Sequence, residues 1–536
     1  MIAEKIALLR TEAALSQEEL SEILSVSRQS VSKWEMGAAL PGIDKILKMA
    51  ELFSVSTDEL LRDTVSIARL KRTEKRNRYF GTDGFRGEAG VTLTSMQAYR
   101  VGRFLGWYFS SSLCPARNAR PRIAIGKDTR RSSYMLEYSL VAGITASGAD
   151  AYMLHVITTP GVSYVTHHDG FDCGVMITAS HNPFYDNGIK VLDRHGEKLS
   201  EEVTDLIEAY LDGDMAALGV TGEDLPFAKR EKLGCIIDHE AGRNRYVGYL
   251  ISLARNSYKK LKIGLDCANG AAWNIARTVF SALGAELYII GDEPDGINVN
   301  ADCGSTHIER VRELVRKHHL DVGFAFDGDA DRCLAVDESG RVVDGDAVLY
   351  ILAKRFLGRG MLSGDTVVGT VMSNSGLKAS LSALGIRFVE TAVGDRFVYE
   401  CMQENDYSLG GEQSGHTILK KYATTGDGLL TAIMITEEII DTKRPLSALT
   451  EGLSLYPQYT ENLRVRDKEA VLSDGRVLAV LEEIRGEIGE DGRVLLRKSG
   501  TEPVVRVMVE YSEEDAGRGY VRRLADIIRE RGHADA

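Results

Sequence analysis

The sequence predicts an α/β protein of several domains with an all-α module at its N-terminus. Three observations carry that expectation. At 536 residues the chain is too long for one core, and a prior of about 100–200 residues per domain gives roughly three to five. After Arg120, short apolar runs at 122–126 (RIAIG), 262–266 (KIGLD) and 366–370 (TVVGT) each end in a polar or glycine-rich loop and then a helical pattern. Residues 1–62 contain no such run.

The N-terminal segment reads as short capped helices. Ser16 with Glu19 and Ser56 with Glu59 have capping-box spacing, Pro41 stands where a helix can begin, and Ile43, Ile46, Leu47 and Ala50 are spaced to share one apolar face. Gln17 to Leu24, a turn at Ser25–Ser27 and Arg28 to Glu35 read as helix-turn-helix, with Val31 and Trp34 inward and Arg28, Gln29, Ser30, Ser32 and Lys33 outward. The segment resembles Cro/CI-type repressor DNA-binding domains, including SRQSVSKWEMG and the closing FSVSTDELL. Side chains of this kind at the start of a helix can reach major-groove edges, and such modules usually act as dimers, so the resemblance implies DNA as a partner and a homodimer. Against it stands charge: residues 1–62 hold seven Lys/Arg and ten Asp/Glu, a net −3, whereas phosphate neutralisation needs a basic face. The basic stretch 69–78 (RLKRTEKRNR) could supply it or be a solvated linker, and the alternative for the module is protein docking.

Beyond Tyr79 the repeated texture gives three related α/β units and a smaller fourth. The expected divisions are a helix-turn-helix module at 1–62, a basic linker at 63–78, and domains at 79–235, 236–342, 343–456 and 457–536, with Pro457 in the last junction. A formal net charge of −13 excludes a chain built to coat nucleic acid or an anionic membrane. Seven cysteines (114, 173, 235, 267, 303, 333 and 401) are scattered singly, with no zinc or disulfide spacing, and read as reduced thiols. With no signal-type N-terminus and no apolar stretch approaching about 18 residues, the expected location is the cytoplasm, with no membrane partner.

Two segments carry the chemistry. In 178–183 (TASHNP), Ser180 follows an apolar run and precedes helix-incompatible Pro183; a serine hydroxyl there needs positioning, a base and charge neutralisation to handle a phosphoryl group. In 327–332 (DGDADR), Asp327, Asp329 and Asp331 alternate along a segment read as extended, after the apolar run 322–326. Three hard carboxylates so close repel one another without a cation, and magnesium suits them. A third segment, 497–503 (RKSGTEP), joins Arg497 and the nest-forming Ser499, Gly500 and Thr501, with Arg506 nearby; guanidinium and backbone N–H groups suit a phosphate that is held rather than transferred.

Together with 411–416 (GEQSGH), these segments resemble the α-D-phosphohexomutase family from about Tyr79 to the C-terminus, and CANGAAW, PDGINVN, CGST, GTVMSN and VGDRFVYE resemble its amino-sugar branch. The resemblance implies a four-domain architecture and a phosphoserine at Ser180. It also implies one Mg2+ held by Asp327, Asp329, Asp331 and phospho-Ser180, and a hexosamine bisphosphate that primes the enzyme. It makes Glu412 and Ser414 readers of sugar hydroxyls, with Gln413 the amino-sugar variant, and His181 and Arg332 supporting residues. Lys190 and His416 become candidates for proton transfer if cations lower their pKa, and Arg86 for charge stabilisation, since arginine hardly deprotonates. Ala330 stands where the family often has glycine, and Lys498 where proline is common. The implied reaction interconverts glucosamine 6-phosphate and glucosamine 1-phosphate. The alternatives are the mannose or glucose phosphates, or a phosphosugar-sensing transcriptional regulator.

Overall fold

The computed structural model describes residues 2–12, 15–24, 26–53, 79–81, 83–111, 120–489, 492–498 and 504–534. They divide into two compact units, 1–79 with 201–225, and 80–200 with 226–536.

In the first unit, helices α1 (Ile2–Glu12), α2 (Gln17–Ile23), α3 (Arg28–Glu35) and α4 (Ile43–Leu52) enclose a small core of Ile6, Leu9, Leu20, Leu24, Val31, Trp34, Met49 and Phe53. The Ser16–Glu19 capping box forms in both directions, at 2.7 and 3.1 Å. Glu35 gathers α1 and α2 onto the end of α3, accepting from Arg10 at 2.5 Å and from Gln17 at 2.7 Å. Leu47 departs from the expected apolar face: it is 51% exposed, while Ile46 and Ala50 are buried, because Ile46, Met49, Ala50 and Phe53 form the stripe that joins the small core. Arg28, Gln29 and Lys33 are exposed as expected, but Ser30 and Ser32 are half-buried, and the Ser30 hydroxyl lies 2.9 Å from that of the N-cap Ser27. The 3.6-residue period rotates these two serines off the face. Ser56, Glu59 and the basic stretch 69–78 lie outside the described residues.

The second unit is built on four sheets among the described residues. The first has strands β1 (Phe80–Gly81), β2 (Gly84–Glu88), β3 (Arg122–Lys127), β4 (Asp150–Val156), β5 (Cys173–Ile177), β6 (Asp186–Leu192) and β7 (Ile236–Asp238), in the order β1-β2-β6-β5-β3-β4-β7. Its β5-β3-β4-β7 part is parallel. β7 pairs in parallel with β4 at the edge of this sheet. The second sheet contains β8 (Lys262–Asp266), β9 (Glu286–Ile290), β10 (Val322–Phe326), β11 (Cys333–Asp337) and β12 (Val342–Val343), ordered β12-β11-β10-β8-β9. The third contains β13 (Thr366–Thr370), β14 (Arg387–Thr391), β15 (Leu409–Gly411) and β16 (Thr417–Leu419), ordered β14-β13-β15-β16. The fourth is antiparallel, β17 (Gln458–Arg464), β19 (Val504–Tyr511) and β18 (Gly492–Lys498) in that order.

The central strands β3, β5, β8, β10 and β13 are almost wholly buried, which is why they read as continuous apolar runs rather than alternating ones. Their carboxyl ends open into loops, and in three sheets the chemical motifs start there: Ser180 after β5, Asp327 after β10 and Glu412 after β15. Ser95–Ser110 and Arg131–Ala146 show how closely the covering helices pack. A Cβ added at Gly143 would lie 2.1 Å from the Tyr99 carbonyl, and one at Gly102 equally close to that of Leu140. Gly143→Ala should therefore destabilise the first domain by about 1–3 kcal/mol, read as an earlier first transition in thermal unfolding, since the added methyl meets backbone that cannot swing aside.

Candidate active site

Ser180 sits in a strained, fully determined loop. Its φ is 53°, the left-handed region that non-glycine residues rarely adopt, and its side chain is buried. Asp128 and Arg130, at the carboxyl end of β3, hold it there. Asp128 accepts from the Thr178 hydroxyl at 2.8 Å, which in turn accepts from the Ser180 N–H at 3.0 Å. The buried Arg130 guanidinium donates to the Ser180 and Asn182 carbonyls at 2.8 Å each, and Asn300 of the second domain donates to the same Ser180 carbonyl at 2.8 Å. So fixed, the Ser180 hydroxyl donates to Asp327 Oδ2 at 2.5 Å, with His181 Nδ1 3.5 Å away.

The loop after β10 meets the serine loop backbone to backbone: a Cβ on Gly328 would come within 2.5 Å of the Ser180 carbonyl. The stretch expected to be extended is a turn, with Ala330 at φ 55°. Left-handed backbone costs a non-glycine residue about 1–2 kcal/mol, which accounts for glycine suiting this position; alanine here is held by burial. The turn still brings carboxylate oxygens of Asp327, Asp329 and Asp331 within 4.8 Å of one another. Asp329 Oδ2 accepts from the Thr159 hydroxyl at 2.5 Å and from Lys190 at 2.9 Å.

Electrostatics argue for a cation among these groups. Burial, together with the charges of Asp331 and Asp329, pushes the Asp327 carboxyl well above the usual range. Burial also opposes ionisation of Asp331, but Lys190, His416 and Arg332 outweigh it and hold that carboxyl well below. Asp329 Oδ1 and Asp331 Oδ1 are buried and have no hydrogen-bond partner among the described residues. Unsatisfied hard oxygens in a triad fit a divalent cation.

The cationic side chains are arranged differently from expectation. Lys190, on β6, is surrounded by carboxylates rather than cations: Asp329 at 2.9 Å, Asp83 at 3.1 Å and Asp331 at 3.3 Å. Burial disfavours its charge, yet these three raise its pKa well above the ordinary value. His416 is raised too, burial being outweighed by Asp331 and Asp395, and its Nε2 accepts from the Gly426 N–H at 3.1 Å. His181 moves the other way, down to about 4, through burial and the neighbouring Arg332 and Arg86. Arg86 pairs with Asp83 and donates to Asn182 Oδ1 at 3.2 Å. The Nε atoms of Arg86 and Arg332 are buried without a hydrogen-bond partner among the described residues, and such donors suit an anionic ligand.

Glu412 accepts from the Gly394 N–H at 3.1 Å, and Ser414 is exposed beside it. Gln413 does not project freely: its amide donates to Asp344 at 3.2 Å, the N-cap of the helix Gly345–Gly358, so it braces the loop. Arg497 and Arg506 stand directly opposite in the β18–β19 ladder, on one face. Like charges so placed repel, and an anion relieves the cost. Lys498, on the other face, pairs with Glu469, so its charge is already answered. Ser499, Gly500 and Thr501 lie outside the described residues.

Sequence reasoning missed Asp83, Asp128, Arg130, Thr159, Lys198, Asn300 and Asp395. Lys198 joins the first and third domains through Asp395 at 2.7 Å, and it lies 3.6 Å from Asp83. Several of these residues lie in runs already singled out, Asp83 in GTDGFRG, Asn300 in PDGINVN and Asp395 in VGDRFVYE. Their roles as struts become visible only when the loops meet.

The fold and this site define a class. Family models for the phosphoglucomutase/phosphomannomutase α/β/α domains I, II and III match residues 77–217, 244–340 and 344–456, and the C-terminal domain matches 461–527. The chain belongs to this family and is a phosphohexomutase, an intramolecular phosphotransferase; residues 6–60 match a helix-turn-helix model. It is 56% identical over 457 residues to phosphoglucosamine mutase of Lachnospira eligens, covering 85% of this chain and 99% of that one. The enzyme of the same name from Lachnoclostridium phytofermentans is 53% identical over 459 residues, 86% of this chain and 100% of the relative. Among solved structures, a phosphoglucomutase/phosphomannomutase family protein from Burkholderia thailandensis superposes with a TM-score of 0.69 at 22% identity, covering 86% of this chain and 99% of that one. An Aspergillus fumigatus N-acetylphosphoglucosamine mutase, crystallised with GlcNAc-6P and magnesium, gives 0.59 at 18% identity, covering 86% and 97%. At such identities the solved structures speak for the fold. No helix among the described residues is long and apolar enough to cross a membrane.

The triad makes a direct prediction. Asp331→Asn keeps the side chain's shape but removes one charge, so Mg2+ titrated into the purified protein should bind at least about tenfold more weakly by calorimetry, with the fold unchanged by circular dichroism. Unchanged affinity would move the cation elsewhere.

Proposed function

We propose that the chain interconverts glucosamine 6-phosphate and glucosamine 1-phosphate through a phosphoserine at Ser180. The observation that carries the chemistry is the buried Ser180 hydroxyl aimed at Asp327 at 2.5 Å, inside a carboxylate triad with unsatisfied oxygens. The amino-sugar assignment rests on the names of relatives more than half identical over nearly their whole length. Asp327, Asp329 and Asp331, with a phosphoryl oxygen on Ser180, would hold Mg2+, which when bound neutralises phosphoryl charge.

In the first transfer the free sugar hydroxyl attacks phospho-Ser180. A sugar O–P bond forms, the Ser180 O–P bond breaks, and the sugar hydroxyl's proton leaves to a base. The product is a hexosamine 1,6-bisphosphate. After it turns over, the second phosphoryl group returns to Ser180 by the reverse step. Arg86 and Arg332, each with a buried unpartnered Nε, stabilise charge on the transferring group. Lys190, held protonated by carboxylates, suits proton donation to a leaving oxygen, His416, whose Nε2 accepts the Gly426 N–H, is the second candidate for moving a proton, and His181, neutral at neutral pH, orients the serine. Glu412 and Ser414 grip ring hydroxyls, and Arg497 and Arg506, with Ser499, Gly500 and Thr501, hold the phosphate not being transferred. The two orientations of the sugar require this grip to accept both ends.

Purified protein should turn over glucosamine 6-phosphate more efficiently than mannose 6-phosphate or glucose 6-phosphate. Glu412→Ala should lower kcat/KM by roughly ten- to a hundredfold, the cost of one lost substrate hydrogen bond. Preference for mannose 6-phosphate would hand the assignment to the mannose branch.

A second reading concerns the N-terminal module, favoured by the exposed Arg28, Gln29 and Lys33 on a capped α3. These residues would contact duplex DNA, Gln29 at base edges and the two cations at phosphates. The full-length chain should retard duplex DNA in a salt-dependent manner, and Lys33→Ala should weaken it uniformly across sequences while leaving mutase turnover intact. No retardation at low salt would favour a protein-docking module.

A further inference from the structure

The run GTVMSN has no chemical part in the active site, yet it forms a joint between the third and C-terminal domains. The turn after β13 and the helix start that follows it, together 371–376, receive two connections, one from the linker at 454–456 and one from the C-terminal domain. The first is the chain itself: Asn374 exchanges hydrogen bonds with Tyr456, Nδ2 donating to its carbonyl at 2.9 Å and Oδ1 accepting its N–H at 2.8 Å. Asn374 Oδ1 also caps the helix Ser375–Ala383, and its N–H donates to the buried Asp346 at 2.8 Å. A Cβ on Gly376 would lie 1.8 Å from the Ser454 carbonyl, so the linker runs directly against this turn.

The second connection is a buried ion pair. Arg493 of β18 and Glu510 of β19 are ladder partners, joined Nη2 to Oε2 at 2.7 Å, and Glu510 is fully buried. Glu510 Oε1 accepts the Ser375 N–H at 2.5 Å, while the Arg493 guanidinium donates to the Met372 carbonyl at 2.8 Å and to that of Val371. Every charged atom is answered, and three of the bonds cross between domains. Isolated buried pairs add little stability, so a pair that reaches two carbonyls and a helix N-terminus serves geometry better than cohesion.

Arg493 and Arg497 lie four residues apart on one face of β18, about 13 Å along the strand. Arg497 itself donates to the Met372 thioether of the third domain, at 3.7 Å. We infer that Arg493 and Glu510 are positioning residues for the phosphosugar: they seat β18 on the 371–376 turn, and so set where Arg497 meets the non-transferred phosphate. The inference rests on the phosphate role proposed for Arg497.

The test is a cycle of Arg493→Met, Arg497→Met and the double variant, with KM for the 6-phosphosugar, kcat and melting temperature measured on full-length protein. Arg493→Met should raise KM about tenfold or more with a smaller change in kcat, and the double variant should match Arg497→Met within about twofold, because the first residue acts through the second. A purely cohesive role predicts additive losses, and that outcome overturns the inference. Arg497→Met with normal KM would overturn the phosphate reading and this inference with it; Arg493→Met with normal KM beside an impaired Arg497→Met would overturn this inference alone. If Arg493→Met does not fold, Arg493→Lys takes its place in the cycle: it keeps the charge toward Glu510 but cannot reach both carbonyls, so it should show the same non-additive KM effect, and a wild-type KM sinks the inference.

Discussion

The mutual repulsion of buried carboxylates is the constraint on which the rest of the second unit depends. Asp327, Asp329 and Asp331 are packed into one turn and taken out of water, with the half-buried Asp83 and Asp395 close by. Such a cluster survives only if cations surround it, and the fold brings them from different strands: Lys190 from β6, Arg86 from β2, Arg332 and His416 from the bridge between the second and third domains. The oxygens still unsatisfied mark where an ion and a phosphoryl group complete the balance.

That requirement explains why the catalytic loops are fastened across domains as well as within them. Ser180 is held by Arg130 from its own sheet and by Asn300 from the next, and Asp329 by Thr159 from the first domain. The third domain contributes His416 and Asp395, and Lys198 reaches across to the latter. A shift of any domain would therefore separate a charge from its partner, so precision at the serine is a property of the whole assembly.

The C-terminal domain is joined by other means. Its sheet carries its own core of Val477, Ile484, Val505, Val507, Val509 and Leu524, and it meets the third domain through the ion pair and carbonyls at 371–376. Such a joint suits a domain that must present a phosphate grip to either end of a sugar.

Much of this protein is legible from its residues in order. The buried strands announce themselves as apolar runs because both faces are covered, the helix caps follow local spacing, and the serine, the three aspartates and the paired arginines stand in short motifs whose chemistry needs adjacent residues. Local information reaches no further. The turn at Ala330, the half-burial of Ser30 and Ser32, and the exposure of Leu47 depend on which face a neighbour covers. The upward shift at Lys190 has the same origin: its three carboxylate neighbours are distant in the chain, Asp329 and Asp331 lying 139 and 141 residues after it, and they meet it with Asp83 only when β6, the start of β2 and the loop after β10 converge. Residue types set what chemistry was available; tertiary structure decided which charges met, because a Coulomb interaction depends on distance in space and burial, neither of which is encoded at any one position.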